Sequence, residues 1–171
     1  MFTNVKSLRE LFEIELQYAY DCERKLAEKG LPSMIEAATS PELRAALQHH
    51  LQETRAQIAR LESVFSSAAV QPKTRDNDII DKMMSAAKDS ASNIDDTALR
   101  DTALIVNGNT VEHYEIAIYG SLAEFARQLG FQSAVGLLEQ TLEEEKKADA
   151  KLTQIGTTTM NARAARAHSS D

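Results

Sequence analysis

Basic residues are in short supply: 19 Lys and Arg stand against 26 Asp and Glu, for a formal net charge of −7. A nucleic-acid binder neutralises phosphates with a basic face, so this balance argues against nucleic acid as the main partner and suits the attraction of metal cations. One cysteine, Cys22, rules out an intrachain disulfide framework and any Cys-x-x-Cys pair for a rubredoxin-type iron. No apolar run reaches the roughly 18 residues that span a bilayer, and no charged-then-apolar leader opens the chain, so no membrane partner and a cytoplasmic location are expected. Glycine (6), proline (3) and tryptophan (none) are scarce among 171 residues. The composition is dominated instead by Ala, Leu, Glu, Lys, Gln and Arg, which favour helix over sheet in a chain of single-domain length.

Four long stretches carry a helical period, with the breakers between them. The first runs from about Asn4 to Ala38 through Leu8, Phe12, Leu16, Ala19 and Leu26. Pro32 lies within it and predicts either a kink or a stop near Gly30 followed by a short helix. Ser40-Pro41 is a start signal for the second, whose stripe is Leu43, Leu47, Leu51, Ile58, Leu61 and Phe65 and which ends before Pro72. A long connection, 71–96, holds a short helix over about Ile79–Ala91. Asp95 and Asp96 can cap the third long helix, about Thr97–Leu129, closed by Gly130. Ser133 opens the fourth, which ends at Gly156. Hairpin, long crossover, hairpin is the ferritin-like arrangement of an all-α four-helix bundle, expected over 1–156, with 157–171 a flexible tail that includes Arg163, Arg166 and His168.

Several carboxylates occupy the apolar stripes. The fourth helix reads Val135, Leu138, Leu142, Glu145, Asp149, Leu152 at alternating steps of three and four, so two acids sit in mid-seam between leucines. Glu23 follows Leu16 and Ala19 and precedes Leu26; His50, Glu53 and Gln57 fall between Leu47 and Leu61; Glu112 continues Ile105 and precedes Ile116, with Glu115 three residues on. Buried carboxylates are costly unless paired or bound to metal, and a pair of dications with hard oxygen and imidazole ligands removes their mutual repulsion. Spacing agrees. Glu23 lies 15 residues before Ala38 and Glu53 lies 12 after Pro41, while Glu112 lies 16 before Gln128 and Glu145 lies 13 after Gln132. At about 1.5 Å per residue, each hairpin lifts its acids to one level, about 20 Å from its turn. The candidate ligands are therefore Glu23, His50, Glu53, Glu112, Glu115, Glu145 and Asp149, for two Fe or Mn ions.

Taken singly, these residues have plainer readings: a lone helical glutamate is usually solvated, and a lone interior histidine is usually just satisfied. His49 reads as a surface residue, the Glu143–Lys147 run as a solvated face with only Glu145 inward, the four tyrosines as packing, and Cys22 as a small core residue. It is the coincidence of in-seam position and common level that points to metal.

The segments Tyr20-Asp21-Cys22-Glu23-Arg24-Lys25-Leu26, His50-Leu51-Gln52-Glu53-Thr54, Asp101-Thr102-Ala103-Leu104-Ile105, Val111-Glu112-His113-Tyr114-Glu115-Ile116-Ala117 and Thr141-Leu142-Glu143-Glu144-Glu145-Lys146 resemble the YciF/YciE-type bacterial stress-response family, a branch of the ferritin-like superfamily, over about Leu8–Ile155. The superfamily pattern is one Glu from each of two helices and Glu-x-x-His from each of the other two. Glu23 and Glu112 match the single glutamates; His50-x-x-Glu53 reverses the motif; Glu145 is followed by Ala148 where histidine is expected, with Asp149 the nearest substitute. The resemblance implies a stress-associated cytoplasmic homodimer. Two Fe or Mn ions would supply redox chemistry on peroxide or oxygen with an external electron donor. Sequestration of metal without turnover, and a metal-free structural bundle, are the other readings.

Overall fold

The computed structural model describes residues 4–167, and every regular element among them is helical. The order is α1 (Leu8–Lys25), α2 (Leu31–Ala37), α3 (Pro41–Ser67), α4 (Asp78–Asn93), α5 (Thr97–Gln128), α6 (Gln132–Ile155) and α7 (Asn161–Ala167). Helices α1, α3, α6 and α5 pack in that order around a ring, α1 on α3, α3 on α6, α6 on α5 and α5 on α1, which is the expected ferritin-like four-helix bundle. The crossover helix α4 lies outside the ring, against α5 and α2.

Helix ends follow local chemistry. Ser7 caps α1 through Glu10 N, Ser40 caps α3 through Leu43 N with Pro41 in the first turn, and Asp96 caps α5 through Leu99 N. Gly130, at φ 77°, closes α5: the amides of Gly130 and Phe131 bond back to the carbonyls of Arg127 and Ala126. Helix α3 closes in the same way, from Ala69 N to Ser66 O and from Val70 N to Phe65 O, but the left-handed residue there is Ala69 (φ 55°).

The short helix expected after Gly30 is α2: a π turn over Leu26–Gly30 carries α1 into it and places Pro32, which lacks an N–H, in its first turn. Two sequence expectations are corrected. Ser133 does not open α6, because the closing turn at Gly130 leaves Phe131 as the flanking residue, and its ring packs 5.5 Å from that of Phe12. Gly156 does not end the helical course of the chain, which continues to Ala167. A second π turn, Gly156–Met160, leads into α7, and Met160 and Ala164, four apart, are buried on the α5 side. His168 lies outside the described residues.

The buried apolar side chains fall into two clusters. One holds Phe12, Leu16, Leu61, Phe65, Tyr119, Leu122 and Leu138; the other holds Leu26, Leu43, Leu47, Leu104, Ile105, Leu152 and Ile155. Along each of the four bundle helices a polar residue marks the passage from one to the other: Glu23 in α1, His50 through Gln57 in α3, Glu112 and Glu115 in α5, Thr141 and Glu145 in α6. The core is split by one polar layer.

Candidate metal centre

Glu23, Glu112, Glu115 and Glu145 are each 2 % exposed or less, and His50 is 6 % exposed. Each lies on the inward face of its helix, between the two apolar clusters. Ligand atoms of His50, Glu112, Glu115 and Glu145 all lie within 4.8 Å of one another. His50 Nε2 stands 3.3 Å from Glu112 Oε1 and 3.9 Å from Glu145 Oε2.

The second contacts of these side chains are directional. The Tyr119 hydroxyl donates to Glu23 Oε1, and Cys22 Sγ donates to Glu115 Oε1 at 3.6 Å. Each bond fixes one carboxylate oxygen and leaves the other free. Six buried donor atoms then have no hydrogen-bond partner: Glu23 Oε2, His50 Nδ1, Glu112 Oε2, Glu115 Oε2 and both oxygens of Glu145. Buried polar atoms are nearly always satisfied, so a concentration of orphans at one level of the bundle demands an explanation.

Electrostatics tell the same story. Burial, only partly offset by the Tyr119 hydrogen bond and by His50, raises the Glu23 carboxyl to about 7. Burial also raises Glu112, against the pull of His50. Glu115 and Glu145 are pushed well above the usual carboxylate range, by burial first and then by the neighbouring carboxylates. Burial opposes charge on His50, yet Glu112, Glu53 and Glu23 together outweigh it and raise the imidazole. Burial and the surrounding acids likewise hold the Cys22 thiol and the Tyr119 phenol protonated.

Two expected ligands stand apart. Glu53 is half-buried on the solvent side of His50, its Oε2 3.7 Å from His50 Nδ1 and its Oε1 3.4 Å from the exposed His49 Nε2. The buried seam of α3 runs Leu43, Leu47, His50, Thr54, Gln57, Leu61 at alternating steps of four and three, and Glu53, one residue before Thr54, falls beside it. Asp149, also half-buried, accepts from Asn109 Nδ2 at 2.9 Å and lies 3.4 Å from His113 Nε2, on the α5–α6 rim. Glu144 departs from the solvated-face reading: its two oxygens meet Arg60 Nη1 and Nη2 at 2.7 and 2.9 Å, and Gln57 Nε2 donates to it at 3.1 Å. Tyr119 and Cys22 do more than pack, through their bonds to Glu23 and Glu115. Their hydrogen bonds to the cluster carry no sequence signal beyond Cys22 standing next to Glu23. Two further buried acids have their own partners: Asp101 accepts from the Thr39 and Ser40 amides and the Thr39 hydroxyl, and Asp21 accepts from Asn77 N and Lys25.

A family model described as a domain of unknown function, DUF892, matches residues 7–165. The chain belongs to this family. Protein YciF of Escherichia coli (strain K12) is 35% identical over 162 residues, 94% of this chain and 97% of that protein. The crystal structure of the E. coli stress protein YciF matches with a TM-score of 0.87 at 35% identity, covering 92% of this chain and 99% of that one. YcfI from Rhodopseudomonas palustris matches with a TM-score of 0.85 at 37% identity, over 90% and 98% of the two chains. The resemblance to YciF-type stress proteins read from the sequence therefore holds across the DUF892 domain. No described helix is long and apolar enough to cross a membrane.

Proposed function

We propose that this DUF892 protein binds two Fe or Mn ions in the polar layer of its bundle and uses them for redox chemistry on peroxide or oxygen. The observation that carries the reading is the convergence of His50, Glu112, Glu115 and Glu145 within 4.8 Å in a buried layer where five carboxylate oxygens of Glu23, Glu112, Glu115 and Glu145 have no hydrogen-bond partner. Four carboxylates match the charge of two dications, and the mixture of carboxylate oxygen and imidazole suits iron and manganese. The residues present fit the group. His50, Glu112, Glu115 and Glu145 would hold it, with the free oxygen of Glu23 as a further ligand.

When bound, paired ions of this kind supply a Lewis-acidic, redox-active centre for a small oxygen species. The chain's own residues prepare the ground for it. Tyr119 and Cys22 each restrain one oxygen of a ligand carboxylate, which narrows the orientations of Glu23 and Glu115 and lowers the entropy lost on binding. The two apolar clusters flank the layer with low-dielectric packing, where electrostatic interactions are strengthened. The described residues offer no separate acid–base pair at the centre, so proton handling falls to the carboxylates themselves. Reducing equivalents would come from an external donor, since Cys22 is the one cysteine and its thiol is buried. A cytoplasmic homodimer is part of the same proposal, and sedimentation of the purified protein tests it.

Metal analysis of freshly purified protein tests the centre directly. The expected result is about two Fe or Mn per chain, lost in a Glu115→Ala/Glu145→Ala double variant that keeps its helical circular dichroism. Metal content unchanged by that pair of substitutions, or absent from the wild type after growth with added iron and manganese, removes the proposal.

A further inference from the structure

The centre is buried, so any ion bound there must have a way in. A cleft of about 480 Å³ opens between α3 and α6, and its lining runs from surface to centre: Glu42, His49, Lys147 and Lys151 are exposed, Ala148 and Glu53 half-buried, and His50 and Glu112 buried. The last two are more than nine-tenths buried and carry unpartnered atoms, His50 Nδ1 and Glu112 Oε2. From this geometry we infer that the α3–α6 cleft is the loading route for the divalent cation, with Glu53 as the residue that receives the ion and passes it to His50.

Glu53 is built for transfer rather than for residence. It is half-buried, lies outside the group whose ligand atoms converge, and touches one exposed imidazole and one buried imidazole at the same time. An ion held by Glu53 keeps part of its water shell on the His49 side while the His50 side offers a first protein nitrogen. Divalent ions give up water reluctantly, and stepwise replacement of that shell lowers the barrier to burial. The charges along the cleft oppose one another in a way that yields a test. Lys151 lies 3.4 Å from Glu42, which neutralises it, whereas Lys147 forms no ion pair with any described residue and places a positive charge beside the route. Removing Glu53's charge should slow a cation, and removing Lys147's should speed it. A role in holding the fold together predicts no such opposition of sign.

This inference rests on the proposed metal centre, and the experiment separates the two. Metal-free protein would be mixed with Co(II) or Mn(II), with uptake followed by stopped-flow absorbance for cobalt and by competition with a chromogenic chelator for manganese, alongside the final stoichiometry by elemental analysis. Glu53→Gln should load roughly tenfold more slowly, the size of a local steering effect, and Lys147→Ala several-fold faster, with both differences shrinking as salt is raised. Ala148→Phe, which fills the cleft without changing charge, should slow loading at every salt concentration. All three should reach the wild-type stoichiometry. Equal rates in Glu53→Gln and the wild type, or shifts of the same sign in Glu53→Gln and Lys147→Ala, overturn the route while leaving the centre standing. Loss of bound metal at equilibrium in Glu53→Gln makes Glu53 a resident ligand and overturns its transfer role. Failure of the wild type to bind either ion overturns both proposals.

Discussion

Replacing Glu23 by glutamine should make the metal-free protein more stable, by an amount the structure sets. Glu23 is 1 % exposed, and its carboxyl is raised from 4.5 to about 7 by burial, with Tyr119 and His50 pulling the other way. A carboxyl whose folded value exceeds its unfolded value contributes its full stability below about 4.5 and loses it as pH rises through about 7. At 1.36 kcal/mol per unit, the loss at pH 8 is about 3 kcal/mol, whereas at pH 5 it is under about 1 kcal/mol. Glutamine keeps the carbonyl that accepts from Tyr119, stays neutral, and escapes that loss. For a chain of this size about 3 kcal/mol corresponds to roughly 6–12 °C in melting temperature. The assay is calorimetry of chelator-treated wild type and Glu23→Gln at pH 5 and pH 8, repeated with excess Mn(II). The variant should melt higher than the wild type at pH 8, nearly level with it at pH 5, and gain less from Mn(II). A variant that melts at or below the wild type at pH 8, or whose advantage is the same at both pH values, would falsify the claim that this carboxylate is an unpaid charge awaiting a cation.

Two further predictions concern the frame around the centre. Ala69 ends α3 in a left-handed conformation that favours glycine, so Ala69→Gly should stabilise the fold by about 1 kcal/mol, seen as a higher urea midpoint with an unchanged slope. Asp101 ties the α2–α3 turn through three hydrogen bonds, two of them from backbone amides, so Asp101→Ala should cost about 3 kcal/mol by the same titration, and Asp101→Asn clearly less.

The sequence by itself determined the four-helix bundle and which elements pair. Apolar stripes at steps of three and four, Ser40-Pro41, Asp96 and Gly130 are local signals, and local hydrogen bonding decides helix starts and stops without help from the rest of the chain. It also indicated that acids lie in the core, because carboxylates fall within the apolar stripes of all four long helices. Local signals failed where the backbone continues through an irregularity. Gly156 reads as a break, yet a π turn absorbs it, since burying Met160 outweighs an imperfect turn. Only tertiary structure decided which acids converge. Glu53 and Asp149 sit at the expected spacing yet stay half-buried, outside the group whose ligand atoms converge, because how each helix is rotated against its neighbours sets which residues face the centre. The tethers from Tyr119 and Cys22, and the cleft that brings Lys147 beside His50, join residues about a hundred positions apart, and such contacts exist only once the two hairpins have closed on each other.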